Sequence, residues 1–429
     1  MEIILLYSLA AVLIGILVGL LPSLPVFLAP LLMLPFAQSI STEAMLMVWM
    51  LSVVGSQFFG SVAVITTRIP GEENTLVYIN DLDRLTTTEK IQLIKDTAFG
   101  SAVAGVLSAV ILWVCFHSVS VDTGVFSRAW LQALVYSLLL ISFVLMDQTK
   151  WMWSIVLMAL GLVLSTKNNY VLPSWWMDIQ YLFNEKTLFM MTLGLLIVPH
   201  VVQKIAPSNT IIDQNPVSTG HRPWWSSVAG SVVGFVSGLI PGPSAYTASF
   251  VAYNCFKKIK DRIVSAESAN NAAVIATALP FLLTAIPINQ NTLLLASALE
   301  LNRVEINHAI WQTGSFGLTL IDQLIIAVVI SSVMFYYLST HFISLYVGVI
   351  QFFHSRARWV LLVILLGMCV LDVNTSNSDI ISYVTLTVFF SSMGLLLHKF
   401  QINALPFLFA CIIGDRVVWC FIQLSRIYL

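Results

Sequence analysis

From Ile3 to Thr42 the chain carries no Asp, Glu, Lys or Arg, and eleven more charge-free stretches follow: 44–67, 97–121, 129–146, 151–166, 187–203, 223–256, 268–299, 323–355, 359–371, 380–398 and 400–414. About 20 apolar residues cross the hydrocarbon of a bilayer. Only 10% of the 429 residues are charged and 58% are apolar, which is too little charge to cover a water-facing surface. The pattern therefore predicts an all-α polytopic membrane protein of roughly 10–14 spanning or re-entrant segments. It excludes a cytosolic enzyme, a secreted disulfide scaffold and a disordered chain. Net charge is −1 with no basic patch, so no nucleic-acid partner is expected. The lipid bilayer is.

The five cysteines (115, 255, 369, 411 and 420) lie in apolar stretches without paired spacing and read as small buried hydrophobes. The seven histidines form no H-E-x-x-H, so neither a metal nor a cofactor is expected. Met1 to Ile4 carry no positive n-region, which predicts a retained first helix. Trp175, Trp176 and Tyr181 read as an interfacial aromatic belt.

Two stretches, 3–42 and 223–256, are too long for one helix, and each has a Gly/Pro cluster near its middle. The first reads Gly15-x-x-x-Gly19-Leu20-x-Pro22-Ser23. The second repeats that pattern as Gly234-x-x-x-Gly238-Leu239-x-Pro241-Gly242-Pro243-Ser244. A second pair follows in the same order. Ile69-Pro70-Gly71-Glu72-Glu73-Asn74-Thr75-Leu76 matches Ile286-Pro287-Ile288-Asn289-Gln290-Asn291-Thr292-Leu293. The offset from Pro70 to Pro287 is nearly that from Pro22 to Pro241. Two motifs in one order at nearly equal spacing predict a duplication, with a first repeat at 1–204, a cytoplasmic linker at 205–222 and a second repeat at 223–429. These form one transmembrane domain.

Charge indicates how the halves are oriented. The turn 37–44 has no Lys or Arg, whereas its counterpart carries Lys257, Lys258, Lys260 and Arg262. The basic turn is expected in the cytoplasm and the neutral one outside, which makes the repeat inverted. Inverted repeats with Gly/Pro-broken, re-entrant helices are the pattern of secondary transporters, whose sites form where the broken ends meet near the midplane. Helix N-termini there suit an anion, and unwound carbonyls suit Na⁺.

At these residues the chain resembles the large membrane subunit of the tripartite tricarboxylate transporters. The opening Gly19 to Leu24 corresponds to the family's G-x-x-P-G-L. Phe58-Phe59-Gly60-Ser61 then stands shortly before Ile69-Pro70-Gly71, where the family has Y-G-G-S…I-P-G. The second half gives Pro241 to Ser244, Glu267-Ser268-Ala269-Asn270-Asn271-Ala272, and Ala285-Ile286-Pro287, against P-G-x-G, A-P-E-x-A-N-N-A and G-I-P-G. Ser23, Phe58, Phe59 and Ile288 depart from that pattern, and the chain is shorter than typical members. The resemblance implies cation-coupled uptake of a di- or tricarboxylate across a bacterial or archaeal cytoplasmic membrane. It also implies a small membrane subunit and a periplasmic solute-binding protein as partners.

The candidate substrate- and ion-binding residues are therefore Pro22, Ser23, Gly60, Ser61, Pro70, Gly71, Asn74, Thr75, Pro241, Gly242, Pro243, Ser244, Asn270, Asn271, Pro287, Asn291 and Thr292, with Na⁺ or H⁺ as the coupling ion. Asn270 and Asn271 are amides in an apolar stretch and need hydrogen-bond partners, so interhelical glue is their alternative reading. Kinks and GxxxG packing are the alternative for the breaks, and helix caps for the Asn-Thr pairs. Asp322 and Asp415-Arg416 are candidates for proton coupling or for interface positions, while Glu72 and Glu73 read as solvated charges. A secondary transporter is the leading expectation. A structural or regulatory paralogue and an intramembrane enzyme stand behind it, the last without a converging acid–base or metal set.

Overall fold

The computed structural model describes residues 2–21, 26–33, 40–67, 73–118, 129–145, 150–165, 190–191, 194–195, 198–199, 223–242, 244–301, 319–352 and 377–428. Among the described residues every regular element is helical. Backbone contacts divide the chain into two compact units, one of residues 1–123 and 206–354, the other of 124–205 and 355–429.

The first unit opens with α1 (Glu2–Leu20), α2 (Leu28–Met33) and α3 (Thr42–Thr67). Two 3₁₀ turns, Glu73–Val77 and Ile79–Arg84, lead into α4 (Thr87–Ser118). The second-half elements are α7 (Trp224–Gly238), α8 (Ser244–Asn254), α9 (Ile259–Ala276), α10 (Ala278–Thr284), α11 (Gln290–Leu301), α12 (Leu320–His341) and α13 (Ile343–Phe352). The other unit holds α5 (Ala129–Leu145), α6 (Trp151–Ser165), α14 (Asn377–Lys399) and α15 (Leu405–Tyr428). There α15 packs along both α5 and α6. Its backbone comes so near Gly161 that a Cβ there would lie 2.6 Å from the Phe407 carbonyl oxygen.

Among the described residues three helices, α3, α4 and α12, are long and apolar enough to cross a membrane. A helix apolar all round belongs in a core, and α3 is that helix: every residue from Ala44 to Thr67 except Gly60 is buried. The outer helices are one-sided. On α1, Leu6, Leu9, Leu13 and Leu17 recur at helical spacing and are exposed, Leu6 to 65%, while Ala11 and Val18 are buried. α7 exposes Val232 and Val236 but buries Gly234 and Phe235. Water would not tolerate such apolar faces, and lipid does. This is a multi-pass membrane protein.

Both Gly-x-x-x-Gly motifs solve one packing problem in one way. A Cβ on Gly15 would sit 2.7 Å from the Ser52 carbonyl oxygen, and one on Gly19 would sit 2.6 Å from that of Ser56, so α1 lies directly on the backbone of α3. Gly234 and Gly238 of α7 meet the carbonyls of Ala269 and Ala273 on α9 in the same manner. The step from Ser52 to Ala269, and from Ser56 to Ala273, equals the step from Pro70 to Pro287 in the second motif pair. The Gly/Pro break after α7 turns the chain back so that α8 packs on both α7 and α9. Ala248, Ala252, Ala269 and Ala273 allow that close approach.

Two boundaries differ from those that charge alone marks. α4 begins at Thr87 and α9 at Ile259, each roughly two to three turns before its charge-free stretch. Thr86 and Glu89 form a side-chain cap at the start of α4, and the charged first turns of both helices meet through the Lys260–Glu89 ion pair at 3.3 Å.

Candidate functional site

The second-half breaks come together. α7 ends at Gly238, and Gly242 takes a φ of 123°, a left-handed backbone that glycine alone adopts without strain. The Gly242 N–H donates to the Ile288 carbonyl at 2.9 Å, which joins the Pro241-Gly242 break to the Ile286-Pro287 break. α10 stops at Ala285, whose φ of 59° ends the helix in the αL conformation, and Pro287 then prevents its continuation. The helix resumes at Gln290 under a side-chain cap, in which Asn289 Oδ1 accepts from the Thr292 N–H at 2.9 Å.

Each half's second motif is seated on the other half's core helix. In the first half, the phenol of Tyr78, just past Asn74-Thr75, donates to Glu267 Oε1 on α9. In the second half, the Asn291 carbonyl accepts from Trp49 Nε1 on α3 at 2.9 Å. The step from Trp49 to Glu267 is within one position of the motif offset, so the core-helix ends of the two contacts correspond, while Tyr78 stands four residues past Asn74, the counterpart of Asn291. Between them α3 and α9 are joined by a reciprocal amide pair: Gln57 Nε2 donates to Asn270 Oδ1 at 2.8 Å, and Asn270 Nδ2 donates to Gln57 Oε1 at 3.1 Å.

Around this pair lies a cavity of about 20 Å³, lined by Gly19, Leu21, Val26, Ser56, Gln57, Gly60, Ser61, Ala63, Val64, Asn74, Thr75, Glu267 and Asn270. Five expected site residues meet here: Gly60, Ser61, Asn74, Thr75 and Asn270. Among the described residues nothing lies within 4 Å of a Cβ added at Gly60. Asn271 points to α4, where its Nδ2 donates to Ser101 Oγ at 3.0 Å as well as to the Glu267 carbonyl at 2.9 Å. Pro241, Gly242, Ser244 and Pro287 stand at the joined breaks, Gly242, Ser244 and Pro287 being buried. The Thr292 hydroxyl is spent locally. It accepts from the Ile288 and Asn289 N–H groups at 3.1 and 3.2 Å and donates within the Asn289 cap. Pro22, Ser23, Pro70, Gly71 and Pro243 lie outside the described residues.

Sequence reasoning missed Gln57, Glu267 and Tyr78. Gln57 had a usable signal, being an amide deep inside a charge-free stretch. Asp322, a candidate for proton coupling, is the N3 residue of α12 and forms a capping box with Thr319. Its Oδ1 also accepts from Trp113 Nε1 at 2.8 Å. The side chains of Asp415 and Arg416, and the whole of Glu72, lie outside the described residues. Among the described residues no group of three or more His, Cys, Asp and Glu side chains is placed to hold a metal ion.

The sequence matches the model of the tripartite tricarboxylate transporter TctA family over residues 5–409 of 429. The chain belongs to that family. No curated protein and no solved structure matches it. The match takes in both breaks, the α3–α9 amide pair and the cavity, so all of them lie in the part of the chain that the TctA family shares. This TctA-family chain is thus a component of a tripartite transport system.

Proposed function

We propose that the chain is the permease subunit of a secondary active transporter that takes up a small organic anion, a di- or tricarboxylate, in symport with a cation by alternating access. The observation that carries this reading is the exchange of second motifs, Tyr78 onto Glu267 and Trp49 onto Asn291, around the joined breaks at Gly242 and Ile288. Transporter sites form where discontinuous helices of two repeats face each other. Here α7–α8 and α10–α11, both of the second half, are discontinuous, and α3 of the first half and α9 of the second supply the facing amides Gln57 and Asn270.

An inverted duplication accounts for the recurring glycine packing of α1 on α3 and α7 on α9. It also accounts for each compact unit drawing one segment from either half of the chain. Charge is compatible with it, because Lys260 of the basic turn pairs with Glu89 and Tyr253 donates to Asp81, so the basic turn and the segment 81–89 share one end of the first unit. That end is assigned to the cytoplasm by the positive-inside rule. On this reading the repeats are 1–204 and 223–429, and α8, with 11 residues, is re-entrant because it is too short to cross. The membrane is the bacterial or archaeal cytoplasmic membrane. A small membrane subunit and a periplasmic binding protein complete the system and deliver the carboxylate.

Joined breaks of this kind supply backbone N–H groups for a carboxylate and backbone carbonyls for a cation, with no covalent step. The test is uptake of labelled citrate and succinate into proteoliposomes holding the chain and its two partner subunits, under an inward Na⁺ or proton gradient. Gradient-dependent accumulation is expected. Equal uptake with and without any gradient contradicts symport.

A further inference from the structure

The cavity beside the Gln57–Asn270 pair is the wrong size and the wrong sign for a carboxylate. Its volume of about 20 Å³ is room for the centre of roughly one water molecule. Sites for organic ligands run to about 300 Å³ and more. We propose that it is the seat of a dehydrated monovalent cation of sodium's size, with Asn74 Oδ1 as one ligand, separate from the path of the carboxylate. The inference rests on the transporter reading for what the cation does there, not for whether it binds.

The donors support this. Asn74 is 3% exposed, and among the described residues its Oδ1 has no hydrogen-bond partner, although it lines the cavity. A buried amide oxygen left without a donor is costly, and a cation at the cavity satisfies it. The hydroxyl hydrogens of Ser56 and Ser61 are already committed, to the Ser52 carbonyl at 2.8 Å and the Phe58 carbonyl at 3.0 Å. Both hydroxyl oxygens therefore turn lone pairs, not protons, toward other neighbours. Glu267, 1% exposed, adds a carboxyl group to the same wall. Oxygen acceptors repel an anion and suit a hard cation. A divalent ion calls for several carboxylates, and among the described residues no group of three or more acidic, His or Cys side chains is present.

The same orphan recurs in the other half. Asn291, the counterpart of Asn74 in the repeated motif, is 5% exposed, and its Oδ1 likewise has no hydrogen-bond partner among the described residues. An accident of packing has no reason to repeat at the motif offset, whereas a ligand position kept through duplication does.

The experiment is equilibrium binding of ²²Na⁺ to the purified full-length chain in nanodiscs, without any carboxylate, for the wild type, Asn74→Ala and Asn74→Asp. Saturable binding is expected in the wild type, and a weakening of about tenfold or more in Asn74→Ala. Asn74→Asp keeps the side-chain size and a ligating oxygen, so it should bind at least as tightly as the wild type above the aspartate's pKa and lose affinity below it. This variant keeps the test decisive where Asn74→Ala does not fold. Equal ²²Na⁺ binding in wild type and Asn74→Ala overturns the site. So does a wild type that binds no ²²Na⁺, which is the behaviour of a cavity holding water alone. In that case carboxylate uptake driven by protons would leave the transporter reading standing. Binding lost in Asn74→Ala, from a chain that moves no carboxylate with its partners present, supports the site and contradicts the transporter reading.

Discussion

Gln57 of α3 and Asn270 of α9 hold each other through two side-chain hydrogen bonds, 2.8 and 3.1 Å long, both fully buried. Each amide uses its NH₂ on the partner's oxygen, so the pair joins the two halves of the chain and forms part of the cavity wall. Removing one partner strands the other. Gln57→Ala or Asn270→Ala alone should lower stability by about 1–3 kcal/mol. Gln57→Ala/Asn270→Ala together should cost less than the sum of the single changes. Thermal unfolding in nanodiscs across this double-mutant cycle measures the coupling, and strict additivity would show that the two amides do not depend on each other.

Glycines in this chain divide into two kinds with opposite expectations. Gly234 lies against the backbone of Ala269, so Gly234→Ala must separate α7 from α9 at a cost of about 1–3 kcal/mol. Gly60 has no atom of the described residues within 4 Å of an added Cβ. Gly60→Ala should fold with wild-type stability but narrow the cavity, lowering uptake. Melting temperatures and initial uptake rates on both variants test this, and a destabilised Gly60→Ala would contradict it.

Asp322 is expected to be structural. Its Oδ2 accepts the Thr319 backbone N–H at 3.0 Å and the Thr319 hydroxyl at 2.5 Å, and its Oδ1 accepts from Trp113. Asp322→Asn should therefore cost about 0.5–2 kcal/mol of stability, as the loss of a helix cap does. The ratio of uptake under a proton gradient to uptake under a sodium gradient should stay unchanged. A variant that loses only proton-driven uptake would return Asp322 to the coupling site.

The recurrence of the orphan oxygen at Asn291 bears on stoichiometry. With one cation at Asn74 and a second at Asn291, uptake should depend on sodium with a Hill coefficient approaching about 2, falling toward about 1 in Asn291→Ala. A coefficient of one in the wild type would leave Asn291 without a ligand role.

The break at Pro241-Gly242 was legible because proline and glycine act locally, a Pro removing a backbone donor and a Gly admitting a left-handed turn, and Ile286-Pro287 interrupts the helices of its segment in the same way. The amide at Asn270 was legible because an isolated amide in an apolar run must find a partner. Which partner it finds was not. Gln57 is 213 residues away, and no local pattern encodes a cross-chain contact. Glu267 was passed over for a different reason. A charge was read as the edge of a span, yet α9 begins at Ile259 and runs through Glu267, which it buries beneath the Tyr78 phenol. The Asn-Thr pairs were read as a unit, but Thr292 is consumed by the Asn289 cap, while Asn291 Oδ1 has no hydrogen-bond partner among the described residues.

The most direct test of alternating access is counterflow. Proteoliposomes containing the chain and its partner subunits would be loaded with unlabelled citrate or succinate. They would then be diluted into a trace of the labelled compound, with no ion gradient imposed. An alternating carrier accumulates label transiently above equilibrium, because efflux of unlabelled substrate returns the site to the outside. That overshoot is expected in the wild type, and its loss in a folded Asn270→Ala variant. A smooth approach to equilibrium, with no overshoot in the wild type at any load, would contradict alternating access.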